Sequence, residues 1–207
     1  QLFRENGWRV TTVSRSEGAA NEVADISSLC SLQYLAERIS PPTHIVHCAS
    51  ASGGGVEAYR SVYLDGVKNL VREFPGAPLL FTSSTSVYPQ TDGSVVTELS
   101  STDLDRETGQ ILLEAEKLTL ESGGIVTRLA GVYGSGRCYL LRRYLSGEGA
   151  MEEEGTRILN HTHHQDAASA ILFLLELGEK ALKGIYNVCD SCPKTQKETY
   201  QHLSQTF

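Results

Sequence analysis

Residues 79–88 read Leu-Leu-Phe-Thr-Ser-Ser-Thr-Ser-Val-Tyr, and this stretch decides how the 207-residue chain is interpreted. An apolar run of strand length opens into small hydroxyl side chains and ends in an aromatic residue. The pattern is typical of a buried parallel strand whose carboxyl end lies beside a ligand. A buried strand followed by a plain Ser/Thr turn fits the same residues equally well. The neighbouring segments decide between these two interpretations.

Strand and helix patterns alternate along the rest of the chain, separated by glycine and proline breaks. Further strands are predicted at residues 8–14, 23–25, 43–50, 125–129, 158–164 and 184–188. Helices are predicted at residues 25–38, 57–74, 109–120, 140–145, 165–177 and 195–203, the first of them capped by Asp25 or Ser27. This alternation predicts an α/β fold with a doubly wound, mostly parallel sheet.

The chain begins inside this repeating pattern. A helical turn at residues 1–6 precedes the strand at residues 8–14. In a doubly wound domain that helix follows a central first strand and a glycine-rich turn that receives a pyrophosphate, and neither is present in the given sequence. Because a sheet without its central strand would expose two unpaired edges, we expect roughly 20 further residues upstream, or another chain in that place.

Composition limits the class of partner. A formal net charge of -7 gives no electrostatic surface for nucleic acid or for an anionic membrane. No apolar stretch reaches the roughly 18 residues that a membrane span needs, and the start lacks the core of a signal peptide. We therefore expect no nucleic acid partner, no membrane partner and a cytoplasmic location.

The cysteines do not predict a disulfide framework or a metal site. The five are scattered and odd in number, which argues against a secreted, disulfide-stabilised protein. Only Cys189 and Cys192 have the CxxC spacing of a redox or metal motif. A single CxxC without a second pair or nearby histidine ligands is interpreted as two ordinary thiols.

Four motifs occur along the chain in a fixed order. They are Thr82-Ser-Ser-Thr-Ser-Val-Tyr88, Arg128-Leu-Ala-Gly-Val-Tyr-Gly-Ser-Gly-Arg137, Asn160-His-Thr-His-His-Gln-Asp166 and Tyr186-Asn-Val188. Together they resemble the extended short-chain dehydrogenase/reductase family, and within it the nucleotide-sugar epimerase/dehydratase-like proteins of the atypical branch. The resemblance implies an NAD(P)-binding Rossmann domain over residues 1–137, incomplete at its N-terminus. It also implies a small C-terminal substrate lobe over residues 138–207, with segments that return to the Rossmann domain.

The resemblance further implies a reaction that uses a tyrosine as acid/base, a lysine four residues later, a serine for the substrate oxygen and often an asparagine. Ser84 stands at the serine position, four residues before Tyr88. Alignment of residues 108–116 on the family's Tyr-Gly-x-x-Lys segment places Thr108 at the tyrosine and Leu112 at the lysine. Tyr63 falls at the asparagine.

These replacements bear on the proton transfer. An unperturbed tyrosine titrates at about pH 10, so without a neighbouring cation it is a poor base at neutral pH. We therefore predict that the usual mechanism is absent, with Ser84 and Tyr88 as the candidate catalytic residues. Tyr133, His163 or His164 could substitute as the acid, and the alternative for each is a packing or structural role.

By the same resemblance, Arg15 follows the strand whose end reads the ribose of the cofactor. An acidic residue there binds the hydroxyls of NAD, whereas an arginine accommodates the 2′-phosphate of NADP. We therefore favour NADP, with NAD as the alternative, while a solvent-exposed arginine fits this position as well. Residues 51–55 form a glycine loop that either passes close to a cofactor or is simply mobile.

The remaining implied contacts divide between cofactor and substrate. The implied cofactor-binding residues are Arg15, Asp25, Cys48, Ala49, Ser50, Thr82, Ser83, Ala130, Gly131 and Tyr133. The implied contacts to a nucleotide-linked small-molecule substrate are Thr85, Arg137 and His163.

Three functions remain open from the sequence. The first is an NADP-linked epimerase, dehydratase or reductase that acts on a nucleotide-sugar-like substrate. The second is a protein that binds the cofactor without turnover and serves a regulatory role, and the third is a structural module that binds no nucleotide. Helices near residues 59–70 and 111–118 form a dimer interface in many relatives, so we expect a homodimer.

Overall fold

The computed structural model describes residues 1–18, 20–51, 53–102, 105–149, 153–178 and 184–206. Its strands are β1 (Val13–Ser14), β2 (Glu22–Val23), β3 (Ile45–His47), β4 (Leu79–Ser84), β5 (Ile125–Leu129), β6 (Gly131–Tyr133), β7 (Ile158–Leu159), β8 (His161–His163), β9 (Ile185–Val188) and β10 (Lys194–Thr195). Its α-helices are α1 (Leu2–Glu5), α2 (Leu29–Ala36), α3 (Gly55–Tyr59), α4 (Gly66–Glu73), α5 (Glu107–Glu121), α6 (Tyr139–Leu145), α7 (His164–Glu176) and α8 (Gln196–Thr206).

A four-stranded parallel sheet in the order β3-β4-β5-β9 forms the centre of the fold. Strand β4 lies between β3 and β5, with Phe81 beside His47 on one side and beside Val126 on the other. Helices connect these parallel strands, as parallel pairing requires. The prediction of an α/β fold with a mostly parallel sheet is confirmed.

Strands β1 and β2 form a separate parallel pair. Of the strand predicted over residues 8–14, only Val13 and Ser14 pair with β2. Just before them, the side-chain oxygen of Asn21 accepts the amide and hydroxyl of Thr12, and the Thr12 carbonyl accepts the amides of Asn21 and Glu22. Among the described residues, no strand pairs with the edge of β3 that faces away from β4.

The apolar side chains of β4 supply both faces of the sheet. Leu79 and Phe81 belong to a core cluster with Leu32, Val67 and Leu112, which come from α2, α4 and α5. The intervening Leu80 packs on the opposite face against α7, in the cluster of Ile171, Leu174 and Leu175. Alternation of side chains along the strand therefore produces helical layers on both sides of the sheet.

Two helices differ from their predicted form. Helix α2 begins after Ser28, whose hydroxyl accepts the Ser31 amide at 3.3 Å, so the predicted cap at Asp25 or Ser27 is wrong. The Asp25 carboxylate instead accepts the amide and hydroxyl of Ser27 within the preceding loop. The helix predicted over residues 57–74 runs from α3 into α4 through a π-helical turn, Arg60–Asp65.

The C-terminal part contains two small sheets. Parallel strands β6 and β8 form one, and antiparallel strands β7 and β10 form the other, so the single strand predicted over residues 158–164 is divided. Strand β9 returns to the central sheet beside β5, and α7 packs on its face. The β6–β8 pair joins residues 131–133 to residues 161–163, on either side of the predicted domain boundary at 137/138. That boundary stays a prediction. None of the helices in the described ranges has the length and apolar character to cross a membrane.

Candidate active site at the carboxyl edge of the sheet

The carboxyl ends of the parallel strands place most of the predicted site residues along one edge. Cys48, Ala49 and Ser50 follow β3 and are exposed. Thr85, half-buried, follows β4. Buried Ala130 and exposed Gly131 follow β5. In parallel sheets this edge is where ligands bind.

Arg15 and Asp25 lie together at the ends of β1 and β2. The register pairs Ser14 with Val23, which brings the two following loops side by side. Hydrogen bonds from the hydroxyl and amide of Ser27 lower the pKa of Asp25 against a smaller opposing effect of burial, and the charge of Arg15 adds the smallest lowering effect. Asp25 therefore carries its charge at neutral pH with Arg15 close by. Arg15 itself is exposed and accessible to an anionic group.

The glycine loop after β3 needs its glycines for two different reasons. Gly53 and Gly55 have φ values of 83° and 71°, in the left-handed region that side chains disfavour. A Cβ built on either residue would meet nothing within 4 Å, so open space lies beside this backbone. Gly54 instead lies so close to Ala58 that a Cβ would clash with it. The side-chain-free backbone and the open space fit a cofactor that passes along the loop.

The hydroxyl residues of β4 separate into three environments. Thr82 donates to the backbone carbonyl of His47 at 3.1 Å. Ser83 is buried and donates to Glu116 at 2.6 Å. Ser84 is half-buried, and its hydroxyl accepts the Ser86 amide at 3.1 Å at the start of the 3₁₀ turn Thr85–Val87. Ser84 is the last residue of β4 and lies at the carboxyl edge. Within the described part of the chain, the hydrogen bond of its hydroxyl is to an exposed backbone amide and not to a buried group.

A buried ion pair stands directly behind this edge. Arg128 of β5 and Glu116 of α5 are both 3% exposed in their side chains, and their closest atoms, Nη2 and Oε2, lie 2.6 Å apart. Nε of Arg128 lies 3.1 Å from Oε1 of the same carboxylate, which also accepts the Ser83 hydroxyl. Burial by itself would lower the pKa of Arg128, but hydrogen bonds to Glu116 and Tyr88 raise it above its usual value. Arg128 therefore carries its charge.

Tyr88 is part of the same structure. Its hydroxyl accepts a hydrogen bond from Nη1 of Arg128 at 2.9 Å and donates to Oδ1 of Asn187 at 2.7 Å. The Arg128 guanidinium also lies 5.0 Å from the centroid of the Tyr88 ring. We call Ser83, Tyr88, Glu116, Arg128 and Asn187 the Arg128 network. It ties β4, β5, β9 and α5 together, and it commits both the proton and a lone pair of the Tyr88 hydroxyl.

Sequence reasoning did not find Glu116 and did not assign a role to Arg128 or Asn187, although two signals were available. Arg128 interrupts an apolar strand, Ile125–Leu129, which is otherwise typical of a buried parallel strand. Glu116 follows Ala115 and Leu112 on the buried side of α5. Charged residues are almost never fully buried unless they are paired. An arginine and a glutamate that both occupy core positions are therefore expected to pair with each other.

Tyr133 and His163 are brought together by the pairing of β6 with β8, which places them opposite each other. Their ring centroids lie 5.3 Å apart in an edge-to-face arrangement, and Tyr133 is 39% exposed. Nδ1 of His163 accepts the Gln165 amide at 3.4 Å and caps α7. Arg137 is exposed, and its backbone forms a bridge with Gly134. This group lies beyond the end of β5, at and directly after the β6–β8 pair.

The three positions aligned with the family's tyrosine, lysine and asparagine lie in different surroundings. Thr108 is half-buried in the first turn of α5. Leu112, one turn later, is 3% exposed and packs in the core cluster of α2, α4 and α5. Tyr63 lies in the π-helical turn, and its hydroxyl accepts the Ala51 amide at 3.3 Å. The roles that the alignment assigns to these positions stay predictions.

Two surface hollows lie away from this edge. One of about 380 Å³ lies at the amino ends of β3 and β4, lined by residues 73–77 together with Pro41 and Pro42. Another of about 220 Å³ lies between α4 and α5 and is lined by Leu64, Lys68, Leu118 and three glutamate or lysine side chains. We place the site by strand ends and side-chain chemistry, because a long dinucleotide occupies an open groove along such an edge.

Comparison with known proteins gives a consistent family and fold. A model of the NAD dependent epimerase/dehydratase family matches residues 1–189. The chain is 31% identical over 163 residues to Protein YeeZ of Escherichia coli (strain K12), a match that covers 76% of this chain and 56% of YeeZ. The chain thus spans little more than half the length of that curated relative.

Solved structures have the same fold at low identity. A Methylobacillus flagellatus protein assigned as an NAD-dependent epimerase/dehydratase superposes with a TM-score of 0.82 at 23% identity, covering 99% of this chain and 75% of that one. The Bordetella bronchiseptica enzyme WbmG, solved in complex with NAD and UDP, superposes with a TM-score of 0.79 at 17% identity, covering 99% and 72%.

Proposed function

This chain belongs to the NAD dependent epimerase/dehydratase family, and on that premise we propose that it binds a nicotinamide dinucleotide along the carboxyl edge of its sheet. The observation that carries the proposal is the row of strand ends at exposed Arg15, half-buried Asp25 and exposed residues 48–50, continued by the open glycine loop. A dinucleotide needs donors for its phosphates and ribose hydroxyls, and close approach to side-chain-free backbone. The remaining predicted contacts, Thr82, Ser83, Ala130, Gly131 and Tyr133, are part of this proposal.

We infer that NADP is the preferred cofactor. Arg15 is exposed, and its charge acts on the carboxylate of Asp25, so its guanidinium lies near one anion and is accessible to another. A guanidinium forms charge-assisted, bidentate hydrogen bonds with a phosphate. Asp25 already accepts two hydrogen bonds from Ser27, which leaves less of its capacity for the ribose hydroxyls that an NAD-specific carboxylate would bind.

When bound, the dinucleotide would supply hydride exchange at its nicotinamide ring. Ser84 would hold an oxygen of the substrate at the end of β4, where its hydroxyl retains a proton to donate. Thr85, Arg137 and His163 would contact a nucleotide-sugar-like substrate, with the exposed Arg137 facing a phosphate. Tyr88 is a weaker candidate for the acid, since its hydroxyl proton is donated to Asn187.

A second function, cofactor binding without turnover, is favoured by one specific observation. Leu112, which the alignment places at the family's lysine, is buried in the core cluster. If that alignment holds, no lysine at this position assists a tyrosine, and proton transfer by that tyrosine at neutral pH would be inefficient. In that case the bound dinucleotide would set a conformation that a partner recognises. For either function, we propose a cytoplasmic location and a homodimer.

Calorimetric titration with NADPH and then NADH tests the proposal, on a sample whose intact mass is measured. We expect micromolar binding with a preference for NADPH. Arg15→Ala should reduce NADPH affinity about tenfold and leave NADH affinity unchanged, since a hydrogen bond to a charged group contributes about that much. Arg9→Ala removes another exposed arginine and is the matched control.

The outcomes separate the two functions. No binding of either dinucleotide would contradict the proposal, and equal losses for both in Arg15→Ala would contradict the role of that residue. Where NADPH binds, incubation with UDP- and dTDP-linked sugars distinguishes turnover from binding alone. A change in nicotinamide absorbance, or a new sugar product, that is lost in Ser84→Ala would identify an enzyme.

A further inference from the structure

The segment from the π-helical turn into α4 contacts both loops that the proposed cofactor site uses. Nε2 of His47 lies 3.0 Å from the carbonyl oxygen of Val62 in that turn. Tyr63, the next residue, accepts the Ala51 amide at the start of the glycine loop. Further along, the side-chain amide of Asn69 donates to the carbonyl of Ile26 at 3.0 Å, directly after Asp25. One helical segment therefore fixes two separate loops.

His47 is built into the core beside this turn. It is 2% exposed, and its ring lies 5.3 Å from the Phe81 ring and 6.3 Å from the Tyr63 ring. Burial lowers the pKa of His47 to about 4, so the ring is neutral and carries a single N–H. Nδ1 is buried without a hydrogen-bond partner, which assigns the proton to Nε2 as donor to Val62.

The packing leaves little freedom in this arrangement. A Cβ on Gly66, at the start of α4, would lie 3.2 Å from Ile26 and 3.3 Å from Nε2 of His47. The helix can approach both residues because this position is glycine. A π-helical turn is a rare conformation that places its residues differently from an α-helix and is frequent at functional sites. Here the carbonyl of Val62 meets Nε2 of His47, and the next side chain, Tyr63, reaches the glycine loop.

We propose that His47 and Tyr63 are positioning residues for the cofactor loop: His47 holds the π-helical turn, and the turn holds the Tyr63 hydroxyl on the Ala51 amide. Residues 48–51 would then keep the path that a dinucleotide needs before it binds. This inference rests on the proposed function, because it gives the two residues their purpose. We call the two contacts, His47 to Val62 and Tyr63 to Ala51, the latch. They exist in the free protein and can be measured without any ligand.

The test compares Tyr63→Phe with Tyr59→Phe. The first removes only the hydroxyl that accepts the Ala51 amide, and the second removes a hydroxyl from the adjoining turn, where the Tyr59 ring packs 5.0 Å from Tyr63. Hydrogen exchange of the Ala51 amide is followed by NMR in the free protein. Loss of one hydrogen bond should accelerate it about two- to tenfold in Tyr63→Phe and leave it unchanged in Tyr59→Phe.

NADPH affinity is measured on the same samples. A fall of about two- to tenfold in Tyr63→Phe alone supports the proposal. If exchange of the Ala51 amide is unchanged in Tyr63→Phe, the latch does not exist. If exchange is faster but NADPH affinity equals that of the wild type, the latch does not position the loop for the cofactor. If the wild-type protein binds no dinucleotide, the proposed function fails, while the exchange rates still decide whether the latch exists.

The role of His47 is tested by loss and rescue. His47→Leu removes the donor to Val62 and should accelerate Ala51 exchange as Tyr63→Phe does. His47→Gln keeps an N–H donor at about the reach of Nε2 and should restore slow exchange. Equal exchange rates in the two variants would overturn the role of His47. Should His47→Leu fail to fold, the comparison of His47→Gln with the wild type and Tyr63→Phe gives the same decision.

Discussion

Replacing Glu116 by glutamine removes one charge of the buried ion pair and keeps the size of the side chain. The carboxylate accepts Nη2 of Arg128 at 2.6 Å, Nε at 3.1 Å and the Ser83 hydroxyl at 2.6 Å. Both charged side chains are 3% exposed, so water cannot replace the lost partner. Breaking a buried pair on one side costs about 3–5 kcal/mol, and because glutamine retains one acceptor oxygen we expect about 3 kcal/mol.

The loss is measured by urea unfolding followed by circular dichroism. For a slope of about 2 kcal/mol per molar urea, the midpoint should fall by about 1.5 M while the slope stays constant. Glu121→Gln is the matched control on the same helix, because Glu121 is 57% exposed and pairs with Lys117 at 3.8 Å. Its effect should be within about 0.5 kcal/mol.

A double variant separates charge from packing. Glu116→Gln combined with Arg128→Met removes both charges, so it should recover part of the stability lost in Glu116→Gln. A cost below about 1 kcal/mol for Glu116→Gln alone would refute the reasoning, since it would mean that Arg128 is solvated or finds another anion.

Three further predictions follow from the packing. The pKa of His47, lowered to about 4 in the folded protein from about 6.5 when unfolded, means that the unfolded chain binds the extra proton. Stability should therefore fall by about 2 kcal/mol between pH 7 and pH 5, and urea midpoints of His47→Gln should fall less over this range; parallel curves would contradict this. Gly124→Ala should destabilise by about 2 kcal/mol, because a Cβ would overlap the Leu79 carbonyl oxygen and Thr119. Thermal unfolding checks it against Gly76→Ala, where a Cβ meets nothing within 4 Å. Light scattering at micromolar concentration should give twice the chain mass of 22.5 kDa if the protein is the expected homodimer, and a monomer mass would exclude it.

The sequence by itself determined the fold class and the family. The alternation of apolar runs with helical spacing predicted the layers, because burial of one face per element leaves a periodic record in the chain. The same record located the strand ends that carry Arg15, Asp25 and residues 48–50. It gave the lengths of strands less well, since pairing depends on a neighbouring strand. Residues 8–12 have strand character, yet only Val13 and Ser14 pair with β2.

Tertiary structure alone decided which side chains meet behind the site. Tyr88 and Asn187 are 99 positions apart, and their hydrogen bond exists because β9 lies beside β5 in one particular register. Ser83 faces Glu116 while its neighbours Thr82 and Ser84 do not, because adjacent strand residues point to opposite faces. The carbonyl of Val62 in the π-helical turn likewise meets the side chain of His47, which comes from β3. The local periodicity of the sequence shows which face of each element is buried. The partners of buried polar groups depend instead on strand register and helix packing, and no short stretch of sequence specifies these.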